Sequence, residues 1–184
     1  KNYEIICIME SFFSDYESKT INDYKKNGYI IKDIEEKNSL EWIKEFFISK
    51  INSKLKIQLN DLNDIHNHIS SSNLNEFRMY LINEMQSEKL FRYHYYNISK
   101  KFLEIIVGNE LVMQKSVNLS IQLPNDDSSL LPIHADVWSG DSPFEVVAWL
   151  PLVNCYESKS MYLLPPNDTK DLLVNFEDFR DKSS

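Results

Sequence analysis

The sequence has few cysteines and fewer basic than acidic residues, and both features limit what the protein can do. Its 184 residues include only two cysteines, Cys7 and Cys155, which show no metal-binding or redox spacing. We therefore expect a reducing, cytoplasmic setting. The 20 Lys and Arg residues are outnumbered by 28 Asp and Glu, for a net charge of −8. This balance opposes nucleic-acid binding, because phosphate contacts require clustered Lys and Arg.

Long apolar runs are also missing. No stretch approaches the ~20 residues that a membrane-spanning helix requires. The N-terminal residues 1–13 become acidic and aromatic too soon for a secretory signal. Hydrophobic residues nevertheless make up 42% of the chain and aromatic residues 12%. The length suits one domain, 1–184, that is large enough to bury a core.

Residues 1–113 carry mainly helical patterns. Apolar residues recur every three or four positions in 39–55, with Ser39 as a plausible N-cap. A second helix is predicted at 73–86, where Asn73 and Glu76 have capping-box spacing. A third is predicted at 99–109.

Two short strands are predicted among these helices. They are 3–9 and 28–34, and the second follows a helix that ends at Asn27-Gly28. Residues 1–113 are thus predicted to be mainly helical support with short strands.

The pattern changes near residue 114. In 117–123 apolar and polar residues alternate, which indicates an extended strand with one apolar face. Residues 144–153 are almost continuously apolar, as in a strand buried on both sides, and 160–166 predict a further strand. The predicted fold class is α+β, with a helical N-terminal half packed on a β-sandwich or barrel formed by 114–166. Residues 167–184 are expected to form a charged helix or loop.

His134 and Asp136 are the candidate metal ligands. Residues two apart on an extended chain project to the same side. Two imidazoles and one carboxylate on one face of an octahedral iron(II) leave positions open for oxygen and a cosubstrate. The pair would supply two of these three ligands. Its other interpretation is a polar turn between two strands.

Here the sequence resembles a known family. Residues 114–166 are similar to the iron(II)/2-oxoglutarate-dependent oxygenases of the phytanoyl-CoA hydroxylase-like branch. Residues 117–166 look most like oxygenases encoded in sporadically distributed bacterial surface-carbohydrate gene clusters. The stretch 27–47 is similar to the opening strand and helix of that branch.

The resemblance implies a double-stranded β-helix, the cupin-like jelly roll, with His134 and Asp136 as iron ligands. It also implies 2-oxoglutarate as cosubstrate and a carbohydrate or small metabolite of surface-polysaccharide biosynthesis as substrate. Because halogenating relatives lack the carboxylate, Asp136 favours hydroxylation.

The sequence departs from the family after this pair. The family takes a third ligand, a histidine, and a following basic residue that grips 2-oxoglutarate from a downstream strand. No histidine follows Asp136 here, and Arg180 is the only arginine after it. We therefore expect the barrel to be incomplete in this sequence. A longer chain, a second copy or another polypeptide would have to complete it.

Four other candidate site residues each have an ordinary structural interpretation as well as a functional one. Asn118 and Gln122 could contact 2-oxoglutarate, or could be ordinary polar residues of a strand. Trp138 and Asp141 could meet substrate at the barrel mouth, or could belong to a turn.

The remaining histidines are not expected to bind metal. His66 and His68 are predicted to face solvent in a loop or at a helix end, and His94 to pack among aromatic residues. Two alternative functions stay open: a non-catalytic barrel that binds a partner, and a cupin-like sugar epimerase or isomerase.

Overall fold

A computed structural model describes residues 12–127, 130, 131 and 133–174. Its helical elements are α1 (Asp15–Asn27), α2 (Lys37–Leu55), a 3-10 helix (Leu62–Asn67), α3 (Ser71–Ser87), α4 (Phe91–Asn97), α5 (Lys100–Ile106), a second 3-10 helix (Asp136–Ser139) and α6 (Pro166–Val174). Helix α2 packs against α3 and α4, and α5 packs against α1 and α4. Residues 107–135 and 140–165 connect these elements without regular secondary structure, where described.

Helix α1 is bounded by local signals at both ends. The Ser14 hydroxyl accepts a hydrogen bond from the Glu17 amide at 3.3 Å, and the Glu17 carboxylate accepts one from the Ser14 amide at 2.8 Å. This is a capping box, which satisfies amides that have no partner within the helix. Gly28 ends the helix with φ of 78°, a conformation that favours glycine. The predicted helix end at Asn27-Gly28 is confirmed.

The core lies where α2, α3 and α4 meet. Apolar residues of α2 recur at helical spacing, so they share one face and are buried there: Ile43, Phe46, Phe47 and Ile51. Helix α3 contributes Phe77, Leu81 and Met85, and α4 contributes Phe91. Phe91 is almost fully enclosed and contacts the rings of three α2 aromatics: Trp42, Phe46 and Phe47.

The predicted barrel is wrong. The described residues contain no β-strand, and their only β-type pairing is an isolated antiparallel bridge between Tyr156 and Lys159. The alternation in 117–123 is nevertheless real, because its apolar residues are half-buried against the helical core and its polar residues are exposed: Val117, Leu119 and Ile121 against Asn118, Ser120 and Gln122. A period of two specifies which face is apolar. It does not specify whether another strand or a helix covers that face.

Side chains of α3 and α4 bond several carbonyl groups of the connecting segments. Arg78 donates to the Ile121 carbonyl at 3.0 Å. Arg92 donates to the carbonyls of Lys115 and Met113 at 3.0 and 3.1 Å. The Tyr95 hydroxyl donates to the Ala148 carbonyl. These long-range bonds hold 113–121 and 148 on helices rather than on neighbouring strands.

Other predicted elements are also corrected. Residues 28–34 and 160–166 form no strand, and 144–153 is covered on one side only. Helix α2 begins at Lys37 with Glu36 as N-cap, and α3 begins at Ser71 with Ser70 as N-cap, without a side-chain capping bond. The predicted third helix spans only Lys100–Ile106. The predicted strand 3–9, Cys7 and Arg180 lie outside the described residues.

Within the described part of the chain, no helix combines the length and the apolarity needed to span a bilayer.

Candidate metal site around His134 and Asp136

A short helical turn positions the two candidate ligands. Ala135 is the N-cap of the 3-10 helix Asp136–Ser139, and its carbonyl accepts a hydrogen bond from the Trp138 amide at 2.8 Å. Gly140 then ends the turn with φ of 99°. Asp136 is therefore the first residue of a helical turn and not a residue of a strand.

The side chains of His134 and Asp136 converge. His134 Nε2 lies 3.7 Å from Asp136 Oδ1, and both side chains are partly exposed. The two-residue spacing thus brings an imidazole nitrogen and a carboxylate oxygen to one point that solvent can reach. This convergence does not depend on a barrel.

The chemistry of the two donors fits two adjacent ligands of a transition metal. Donors bound at right angles with bonds of about 2.1 Å lie about 3.0 Å apart. The observed separation of 3.7 Å is somewhat wider. The facial set needs a third ligand, however. Within the described ranges, no three His, Cys, Asp or Glu side chains group closely enough to hold a metal ion.

Trp138 and Asp141 adjoin this pair through the same turn. Trp138 is half-buried within it, and the exposed Asp141 donates its amide to the Asp136 carbonyl at 3.3 Å. The structure therefore keeps both predicted substrate-binding residues next to the candidate ligands. Their role in substrate binding stays a prediction.

Asn118 and Gln122 lie on the exposed side of 117–123. Without a barrel, no strand pairing aligns this side with His134. Their predicted contact with 2-oxoglutarate was based on that alignment and stays a prediction.

The other histidines have structural surroundings. His66 and His68 are exposed, and His66 Nδ1 lies 2.9 Å from the Asn63 carbonyl. His94 stacks on Trp42 with ring centroids 4.3 Å apart, and its Nδ1 lies 3.1 Å from the hydroxyl of buried Ser39. The predictions that His66 and His68 face solvent and that His94 packs among aromatic residues are confirmed.

Sequence reasoning missed the residues that position the connecting segments, namely Arg78, Arg92 and Tyr95. Each reaches a carbonyl that is at least 21 residues away in sequence. Helical periodicity indicates the side of the helix on which such a residue lies, but not its distant partner. The only signal in the sequence is that each is a long polar side chain on a helix that also contributes to the core.

Comparisons with protein-family models, with curated proteins and with solved structures found no match for this chain.

Proposed function

We propose that this chain is an iron(II)/2-oxoglutarate-dependent dioxygenase. Its proposed reaction is the hydroxylation of a carbohydrate or small metabolite in bacterial surface-polysaccharide biosynthesis, in the cytoplasm. The single observation that carries the proposal is the convergence of His134 Nε2 and Asp136 Oδ1 at 3.7 Å. The resemblance of 114–166 to this family supplies the reaction and the substrate class.

In this proposal, residues of the chain would bind the metal and orient the substrate. His134 and Asp136 would hold iron(II) in a site that solvent and small molecules can reach, since both are partly exposed. The bound metal would supply oxygen activation. Trp138 and Asp141, on the same turn, would contact a substrate that approaches the metal. The proposal requires one further ligand beyond this pair.

Metal binding is the first test. The full chain should be titrated under anaerobic conditions with iron(II), or with manganese(II) as a redox-stable probe detected by electron paramagnetic resonance. Replacing His134 or Asp136 by alanine should weaken binding by at least about tenfold, because each removes one of few protein ligands. His66→Ala is the matched control, since His66 is an exposed histidine that forms no group with the pair among the described residues, and the substitution should leave affinity unchanged.

Turnover is the second test. The full chain with iron(II), oxygen and 2-oxoglutarate should form succinate, and His134→Ala should abolish this activity. Wild-type-like metal affinity in both alanine variants would show that the pair is only a turn. Absence of iron-dependent succinate formation despite pair-dependent metal binding would reject the dioxygenase assignment but keep the metal site.

The alternatives drawn from the sequence, a non-catalytic barrel protein and a cupin-like epimerase or isomerase, are not proposed, because no observation on the described residues favours either of them. All three functions were inferred together with a β-barrel that the described residues do not form. The dioxygenase alone is supported by a further observation, the convergence of His134 and Asp136.

A further inference from the structure

Residues 144–150, which we call the apolar edge, expose three large apolar side chains. From residue 145 to residue 150 the side chains alternate between exposed and half-buried, as in an extended chain. The half-buried side faces the helical core, and Leu150 packs against it. The exposed side carries Glu145, Val147 at 61% and Trp149 at 49%, and Phe144, in the turn that precedes the extended stretch, is 87% exposed. Contiguous exposed apolar groups of this kind mark interaction surfaces.

The backbone of the apolar edge is also unpaired. Within the described part of the chain, the amides of residues 146–150 donate no hydrogen bond. The Ala148 carbonyl accepts one from Tyr95, which fixes the segment on α4. Pro151 follows and has no amide hydrogen, so it limits pairing at that end. An extended segment with unpaired amides is a template for an added strand.

Charge identifies the chemistry of the partner. No Lys or Arg lies between Lys115 and Lys159, whereas six carboxylates do: Asp126, Asp127, Asp136, Asp141, Glu145 and Glu157. Glu145 lies within the apolar edge and Asp141 lies three residues before it; both are exposed, and they form no ion pair within the described residues. The segment that contains the apolar edge therefore carries negative formal charges without compensating Lys or Arg of its own. This charge favours a basic partner and opposes a second copy of this chain, whose net charge is −8.

We propose that the apolar edge binds a basic polypeptide segment, which adds to it as an extended strand. Backbone hydrogen bonds to residues 146–150 supply affinity, and alternate apolar side chains of the partner contact Val147 and Trp149. Lys or Arg residues of the partner lie near Asp141 and Glu145. The apolar edge does not include His134 or Asp136, and its proposed role does not require the proposed enzymatic function, although Asp141 adjoins both surfaces.

The test uses a fluorescein-labelled synthetic nonapeptide, Lys-Val-Thr-Val-Lys-Val-Thr-Val-Lys, and the full chain. Fluorescence anisotropy should show saturable binding, and hydrogen exchange should show new protection of the amides of residues 146–150. A peptide N-methylated at alternate amides, which cannot pair, should bind at least about tenfold more weakly. A peptide with Glu in place of Lys should also bind more weakly.

Substitutions in the chain test whether the peptide binds at the apolar edge. Val147→Ser should weaken peptide binding roughly fivefold, because it removes a cross-strand apolar contact. Val112→Ser is the matched control, since Val112 is fully exposed outside the apolar edge, and it should bind like the wild type.

Four results would overturn the proposal. They are equal binding of the N-methylated peptide, equal binding of the Glu peptide, unchanged binding by Val147→Ser, and absence of both binding and protection. Sedimentation of the chain alone as a dimer with residues 146–150 already protected would instead assign the surface to a second copy.

Discussion

Replacing Tyr95 by phenylalanine tests whether residues 144–153 are held on the helical core. The Tyr95 hydroxyl donates a hydrogen bond to the Ala148 carbonyl, and its ring stacks with Phe91. Phenylalanine keeps the ring contact and removes the hydroxyl. The lost bond and the carbonyl left without its partner should together lower the free energy of unfolding by about 1–2 kcal/mol. That is a measurable part of the roughly 5–15 kcal/mol that stabilises a typical domain.

The same hydroxyl gives a test by pH. Burial raises the pKa of the Tyr95 phenol above its usual value. As the pH rises past about 10, the phenol ionises first in the unfolded chain, so its contribution to stability declines until the folded-state pKa is passed. Above pH 10 the free energy of unfolding of the wild type should therefore fall more steeply than that of Tyr95→Phe. The difference in this free energy between the two proteins should narrow.

The assay is urea unfolding followed by far-ultraviolet circular dichroism. The Tyr95→Phe midpoint should fall by roughly 0.5–1 M. Tyr93→Phe is the control, because Tyr93 lies exposed on the same helix and its hydroxyl makes no hydrogen bond within the described residues. If both variants unfold at the wild-type midpoint, this hydrogen bond does not hold the segment on the helical core.

Three further substitutions test local features of the fold by thermal and urea unfolding. Ser14→Ala should lower the melting temperature by about 2–4 °C, because it removes the N-cap of α1. Hydrogen bonds from Ser14 lower the pKa of Glu17. The difference in melting temperature between the variant and the wild type should therefore shrink in acid, as the Glu17 carboxylate protonates. Phe91→Ala should cost about 3–5 kcal/mol, since the ring is enclosed by α2. Gly28→Ala should cost about 1–2 kcal/mol, because φ is 78° and a Cβ would lie 3.1 Å from Pro166. A variant that melts like the wild type would show that the contact assigned to its residue does not stabilise the fold.

The helices could be predicted because their signals are local. In α2 the apolar spacing of Ile43, Phe47 and Ile51 places them on one face, and all three are buried. Helix starts were harder. Asn73 and Glu76 have capping-box spacing but lie inside α3, whereas the capping box that does form, between Ser14 and Glu17, has the same spacing. The spacing alone does not show which residue stands at the helix boundary.

The sheet prediction was wrong because strand pairing is not a local property of the sequence. Residues 117–123 alternate as a strand does, yet Arg78 and the helical core take the places of neighbouring strands. The proximity of His134 and Asp136 was predictable, because the two residues are only two apart. A turn that holds Trp138 and Asp141 is one of the two interpretations that the sequence offers, and the Ser139-Gly140 dipeptide is a common turn signal, but its start at Asp136 was not predicted.

The stretch without Lys or Arg from 116 to 158 has a consequence for digestion of the chain. Trypsin cleaves after Lys and Arg, so it would find no site in these 43 residues however accessible they are. Chymotrypsin cleaves after large aromatic residues and would find Phe144 and Trp149 on the exposed side of the apolar edge. Survival of residues 116–158 in trypsin would therefore say nothing about whether this stretch is folded, and a bound strand would be revealed only as resistance to chymotrypsin.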